Sequence, residues 1–201
     1  VAATDLLVGS TWKTGIFFGF GSSHPYLSDL DVTTPATPLP MWTTDWTDVD
    51  FHGITGAPTL GWLKQSSAWS WIMATSSGKA STPSDVYLYL IDAGTGQTLT
   101  NGKVKLNTGT GVQADQAYGV YGRPVLVDVD GTGDTDRIYV ADTNGRIWRY
   151  EPKQLNPAPC LIAALGQPIH TTPSVLVRSD TSGNAAVGLY VGTSDRPDEN
   201  D

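Results

Sequence analysis

Residues 122–150 read GRPVLVDVDGTGDTDRIYVADTNGRIWRY, and the order of signals in this stretch decides the fold. Pro124 opens an apolar run, Val125 to Val127, at the point where a strand best tolerates a missing N–H. A loop of alternating Asp and Gly follows, then a second apolar run from Arg137 to Asp142. Asn144-Gly145 is a strong hairpin signal and leads into a third run, Arg146 to Tyr150. Val, Ile, Tyr and Trp fill these runs, side chains that suit a pleated, half-buried surface. The spacing predicts a meander of antiparallel strands.

The same order recurs on either side. Gly56-Ala57-Pro58-Thr59-Leu60 and Thr172-Pro173-Ser174-Val175-Leu176-Val177 repeat the pattern of Gly122-Arg123-Pro124-Val125-Leu126-Val127. Second strands are expected at Trp69 to Thr75 and Gly188 to Thr193. A third is expected at Val86 to Ile91, closed by the tight-turn sequence Asp92-Ala93-Gly94-Thr95-Gly96. Ahead of these, Trp12 to Phe20, Tyr26 to Val32 and Leu39 to Thr43 read as three more strands. A recurring unit of three or four antiparallel strands is blade-like. The chain is therefore expected to be all-β, a β-propeller with blades near residues 9–46, 53–107 and 118–165 and a partial blade over 168–201. A ring closes with about four to eight blades. An arc of about three and a half leaves unpaired edges, so it is expected to be part of a larger propeller and to associate with the remainder of its parent protein or another chain. The one helix-like run, Leu161 to Leu165, is too short to stand alone.

Composition narrows the function. With 39% hydrophobic and 16% charged residues the chain is globular, and 22 Gly and 13 Pro supply many turns. The net charge of −8 disfavours nucleic acid and anionic membrane surfaces as partners. No run of about 18 apolar residues is present to span a bilayer. The N-terminus has no signal-peptide pattern and no initiating Met, which reads as a mature product or an excised piece. Cys160 is the single cysteine and is expected to be a small buried apolar residue.

Asp128-Val129-Asp130-Gly131-Thr132-Gly133-Asp134-Thr135-Asp136 carries the chemistry. A hard cation such as Ca²⁺ takes six to eight oxygens, and oxygens at alternate positions of a tight loop can converge on one point. Asp128, Asp130, Thr132, Asp134 and Asp136 occupy those positions, with glycines between them for the required positive φ angles. Tyr139 stands where an EF-hand has its Glu, and strands rather than helices flank the loop, so it is not an EF-hand proper. Asp136 would close the shell and Asp134 would offer its backbone carbonyl. A solvated Asp/Gly turn without metal, or a Mg²⁺ or Mn²⁺ site, are the alternatives.

These residues resemble the C-terminal propeller of the PilC/PilY family of type IV pilus tip adhesins and assembly factors. Trp12 to Phe20 with Leu30-Asp31-Val32-Thr33 and Pro38-Leu39-Pro40-Met41-Trp42 is similar to the family's opening blade. Tyr89 to Gly96 matches its D-x-x-T-G turn, and residues 122–150 form the most specific part. The resemblance implies a propeller of the quinoprotein-like, modified type. It also implies a Ca²⁺ site at Asp128, Asp130, Thr132, Asp134 and Asp136 whose occupancy regulates pilus extension against retraction and surface adhesion. It implies a bacterial cell-surface location, with minor pilins or the pilus tip complex, and host or abiotic surfaces, as partners. Thr132 and Ala141 depart from the family's usual Asp and Gly, and no Arg-Gly-Asp motif is present.

Enzymatic readings fare poorly, and no catalytic or organic-cofactor residue is assigned. A quinoprotein dehydrogenase would need tryptophan-docking motifs, and Ile91 to Gly96 supplies one degenerate copy. His24, His52 and His170 have no metal-ligand spacing. Asp45, Asp48 and Asp50 read as a polar inter-blade loop, and the seven tryptophans as inter-blade packing or a carbohydrate-stacking surface. A generic extracellular scaffold stabilised by calcium is the remaining alternative.

Overall fold

The computed structural model describes residues 1–20, 26–45, 48–65, 68–107, 119–179 and 185–193, and every element among them is a β-strand. The first sheet holds β1 (Ala2–Val8), β2 (Thr11–Phe20), β3 (Tyr26–Asp31) and β4 (Leu39–Asp45). The second holds β5 (Thr59–Gln65), β6 (Ala68–Ser76), β7 (Tyr87–Asp92) and β8 (Thr98–Lys105). The third holds β9 (Val125–Val127), β10 (Arg137–Ala141), β11 (Arg146–Tyr150) and β12 (Cys160–Ala164), and β13 (Ser174–Ser179) pairs with β14 (Ala185–Tyr190). Each sheet is an antiparallel meander in sequence order.

The first strands of successive sheets adjoin, β1 against β5, β5 against β9 and β9 against β13. The sheets therefore stand as blades around a common axis with their first strands innermost: this is a partial β-propeller. Between blades, side chains alternate by the strand period of two. Met73, Tyr89 and Ile91 of the second blade face Leu6, Phe17 and Leu27 of the first. Their neighbours Ala74, Leu88 and Leu90 face Ile138, Val140 and Trp148 of the third. Both faces of β6 and β7 are thus covered, which is why they read as near-continuous apolar runs. Ala141, Ile147 and Ile169 begin a smaller cluster toward Leu189 on β14.

The Gly two residues before Pro58 and before Pro124 has a packing reason. A Cβ on Gly56 would lie 2.9 Å from the Gly122 carbonyl carbon, and one on Gly122 would lie 2.7 Å from the Thr171 carbonyl oxygen. Successive repeats meet backbone to backbone near the axis. Side chains tie the same seam, with Thr59 Oγ1 donating to the Pro124 carbonyl at 2.6 Å and the Arg123 amide to Thr172 Oγ1 at 3.0 Å.

Several sequence expectations are corrected. The run Leu161 to Leu165, too short for a helix of its own, falls mostly within Cys160–Ala164, the outer strand of the third blade, with alternate residues exposed. Cys160 is accordingly exposed, not buried, because it sits on the solvent side of that strand. The first blade begins at Ala2 with β1, ahead of the expected boundary at residue 9, and β8 and β12 supply fourth strands the sequence had left unassigned. β14 ends at Tyr190, earlier than the strand expected to reach Thr193. His24, Trp46 and residues 194–201 of the partial fourth blade lie outside the described residues.

Candidate metal centre

The acidic loop joins β9 to β10, the innermost hairpin of the third blade. Gly131 and Gly133 have φ of 77° and 90°, conformations costly for other residues, and these let the chain curl around Asp128. Asp128 Oδ1 accepts the Gly131 and Thr132 amides at 2.7 and 3.1 Å, and its Oδ2 accepts the Gly133 amide at 2.7 Å. Across the loop, Asp136 Oδ2 accepts the Val129 and Asp130 amides at 2.6 and 3.2 Å. The carboxylates are held by backbone donors, and the loop is shaped by its own side chains.

Asp128, Asp130 and Asp136 converge, each offering an oxygen within 4.8 Å of the others. Oxygens about 2.4 Å from one Ca²⁺ can be at most about 4.8 Å apart, so this donor set fits a hard divalent cation. Thr132 Oγ1 stands beside it, 2.6 Å from Asp130 Oδ1 and 2.7 Å from Asp134 Oδ1. One hydroxyl proton can serve only one of those carboxylates at a time. The Thr132 hydroxyl and amide hold the Asp130 carboxyl below its usual range.

Asp134 behaves differently. Its carboxylate is 4% exposed, is not one of the converging three, and pairs with Lys153, whose Nζ lies 3.1 Å from Oδ2. The Thr132 hydroxyl first, and then Lys153 against the cost of desolvation, keep Asp134 below its usual pKa. Lys153 also bonds Asp136 Oδ1. Burial opposes its charge, yet the bonds to Asp136 and Asp134 prevail and hold the ammonium above the usual lysine value. The loop leans on the second blade, where the Thr135 amide donates to the Trp62 carbonyl at 2.8 Å.

In sequence the chain is 27% identical over 179 residues to a Type IV pilus biogenesis factor PilY1 homolog of Xylella fastidiosa, covering 83% of this chain. In structure it is similar to the Pseudomonas aeruginosa PilY1 C-terminal domain, with a TM-score of 0.71 over 96% of the chain at 21% identity. The chain is thus similar to PilY1 proteins in sequence and in fold. It spans 12% of the length of the curated relative and 43% of the solved domain. No family model matches it.

Other residues singled out in the sequence have structural settings. Asp48 and Asp50, between the first two blades, both engage Lys103 on β8, at 2.7 Å each. Trp42 donates from Nε1 to the Ala93 carbonyl of the next blade at 2.9 Å, and Trp148 donates to buried Asp142 at 2.9 Å. Trp62 stacks on Trp71 at 4.1 Å, with Trp69 edge-on at 5.9 Å. His170 packs edge-on to Tyr121, and His52 sits in a left-handed turn. No helix among the described residues is long and apolar enough to cross a membrane. Lys153 is the residue the sequence reading missed: it lies on the connection from β11 to β12, and no spacing rule links it to a loop between other strands.

Proposed function

We propose that this PilY-like chain is a calcium-binding, non-catalytic segment of a type IV pilus biogenesis factor and tip adhesin, in which Ca²⁺ occupancy regulates pilus extension against retraction and surface adhesion. The observation that carries the reading is the convergence of Asp128, Asp130 and Asp136 on one point of an inter-strand loop. Those three would hold the ion, with Thr132 and the backbone carbonyl of Asp134 completing the shell. The ion supplies charge: it neutralises carboxylates that repel one another at close range. The chain's own residues do the rest. Backbone amides orient Asp128 and Asp136, and the Thr135 bond to Trp62 passes loop order to the neighbouring blade. A loop fixed in this way presents a fixed surface to minor pilins or to the remainder of the parent protein at the bacterial surface.

The test is the double variant Asp128→Ala, Asp136→Ala in the intact protein. Calorimetric titration with calcium is expected to lose the binding event assigned to this loop, and bacteria carrying the variant are expected to lose calcium-dependent piliation and surface motility. Unchanged calcium affinity would reject the site. Unchanged motility with binding abolished would leave the ion a structural role only.

A further inference from the structure

Lys153 places a positive charge inside the ligand set of the acidic loop. Its Nζ is shared between Asp134 Oδ2 and Asp136 Oδ1. The other oxygen of Asp136 is committed to the Val129 and Asp130 amides, so Oδ1 is the one available to a ligand outside the loop backbone. Asp136 belongs to the converging triad and Asp134 does not. An ammonium and a divalent cation cannot share one carboxylate oxygen without strong repulsion. We propose that Lys153 is a built-in competitor for the site, one that calcium must displace from Asp136 while Asp134 retains it. This inference rests on the calcium reading above and adds how the site is regulated.

The displacement has a direction. Lys153 belongs to the segment after β11, and Glu151 at its start is pinned by Arg137 and Arg149, each at 3.2 Å. Beyond it, Pro152, Gln154 and Leu155 line a groove between the second and third blades, facing Gln65, Leu99 and Asn101. Leu155 is 95% exposed, so little packing holds this part of the wall. When the bond to Asp136 is given up, the segment is left with Asp134 as its single tie to the loop and gains freedom. Calcium occupancy is thereby converted into mobility of residues 152–157 and a change in the groove they line.

The experiment compares wild type, Lys153→Met and Lys153→Arg in the intact protein, titrated with calcium chloride and followed by amide hydrogen exchange. Lys153→Met keeps the apolar stem and removes the competitor, so calcium should bind about fivefold more tightly, the scale of one partly exposed ion pair. Lys153→Arg should stay near wild type. In wild type, calcium should speed exchange over residues 152–157, whereas in Lys153→Met exchange should be fast with or without it. If wild type and Lys153→Met bind this site equally well, or the variant binds more weakly, the competitor role is overturned and the calcium reading stands. If neither binds calcium at the loop, both fall.

Discussion

Asp29 lies fully buried on β3, paired across the strands with Phe17 and Trp42, and neither of its oxygens reaches a hydrogen-bond donor in bonding geometry. Desolvation pushes its pKa up to about 7, with the neighbouring Leu30 amide offsetting only part of it. An unfolded aspartate titrates near 3.9. Between these values the folded chain binds the extra proton, so the stability it confers is full below about pH 4 and is lost as pH rises through 7. Asp29→Asn, which imitates the protonated acid, should therefore stabilise the fold at pH 8 by up to about 4 kcal/mol and by clearly less at pH 5. Urea unfolding at the two pH values measures this, and an equal gain at both would refute it. At this scale the sequence was legible where chemistry was local. The Asp and Gly spacing of residues 128–136 marked the loop, because its carboxylates and its turn glycines are neighbours in the chain. Lys153 and the burial of Asp29 were hidden, because both depend on strands brought together by the blade.

Gly122 shows how the repeated element is joined to its neighbour. The three atoms an added Cβ would meet, at 2.7 to 2.8 Å, are all backbone atoms of Thr171 and Thr172. No flexible side chain can yield there, so Gly122→Ala should cost about 1–3 kcal/mol by forcing the third and fourth blades apart. Gly188→Ala is the control: its nearest neighbour would be at 3.7 Å, and its effect should stay within about 0.5 kcal/mol. Denaturant midpoints of the two variants decide the matter, and similar values would remove the close-packing account. Strands marked by a Pro start or an Asn-Gly turn, such as β9, β10 and β11, were the most sharply legible in sequence. β12 was left unassigned because a five-residue apolar run fits a helix turn as well as a strand. β8 was passed over because an outer strand turns its polar side to water: Thr98, Thr100, Asn101 and Lys103 are exposed, and Asn101 adopts a φ of 59°.

The whole chain is an arc whose two ends each present one bare face. On β1, Leu6 is fully buried toward the second blade, while Leu7 and its cross-strand partner Trp12 point the other way and are 40% and 59% exposed. At the opposite end Leu189 packs toward the third blade, and Leu176 and Tyr190 are 41% and 58% exposed. Soluble monomers seldom carry contiguous apolar patches beyond a few hundred Å². A similar solved domain extends well past this chain, which spans 43% of its length. A propeller ring closes with about four to eight blades, so both faces are expected to pack against further blades. Residues 1–201 prepared alone should then self-associate, running above the 21.4 kDa of a single chain in light scattering and binding a hydrophobic dye. Trp12→Lys with Tyr190→Lys should reduce that association in the isolated chain and destabilise the intact protein, where the same side chains would be buried. A stable, dye-free monomer of the isolated chain would mean that these faces are finished surfaces, and the arc would then be the functional unit.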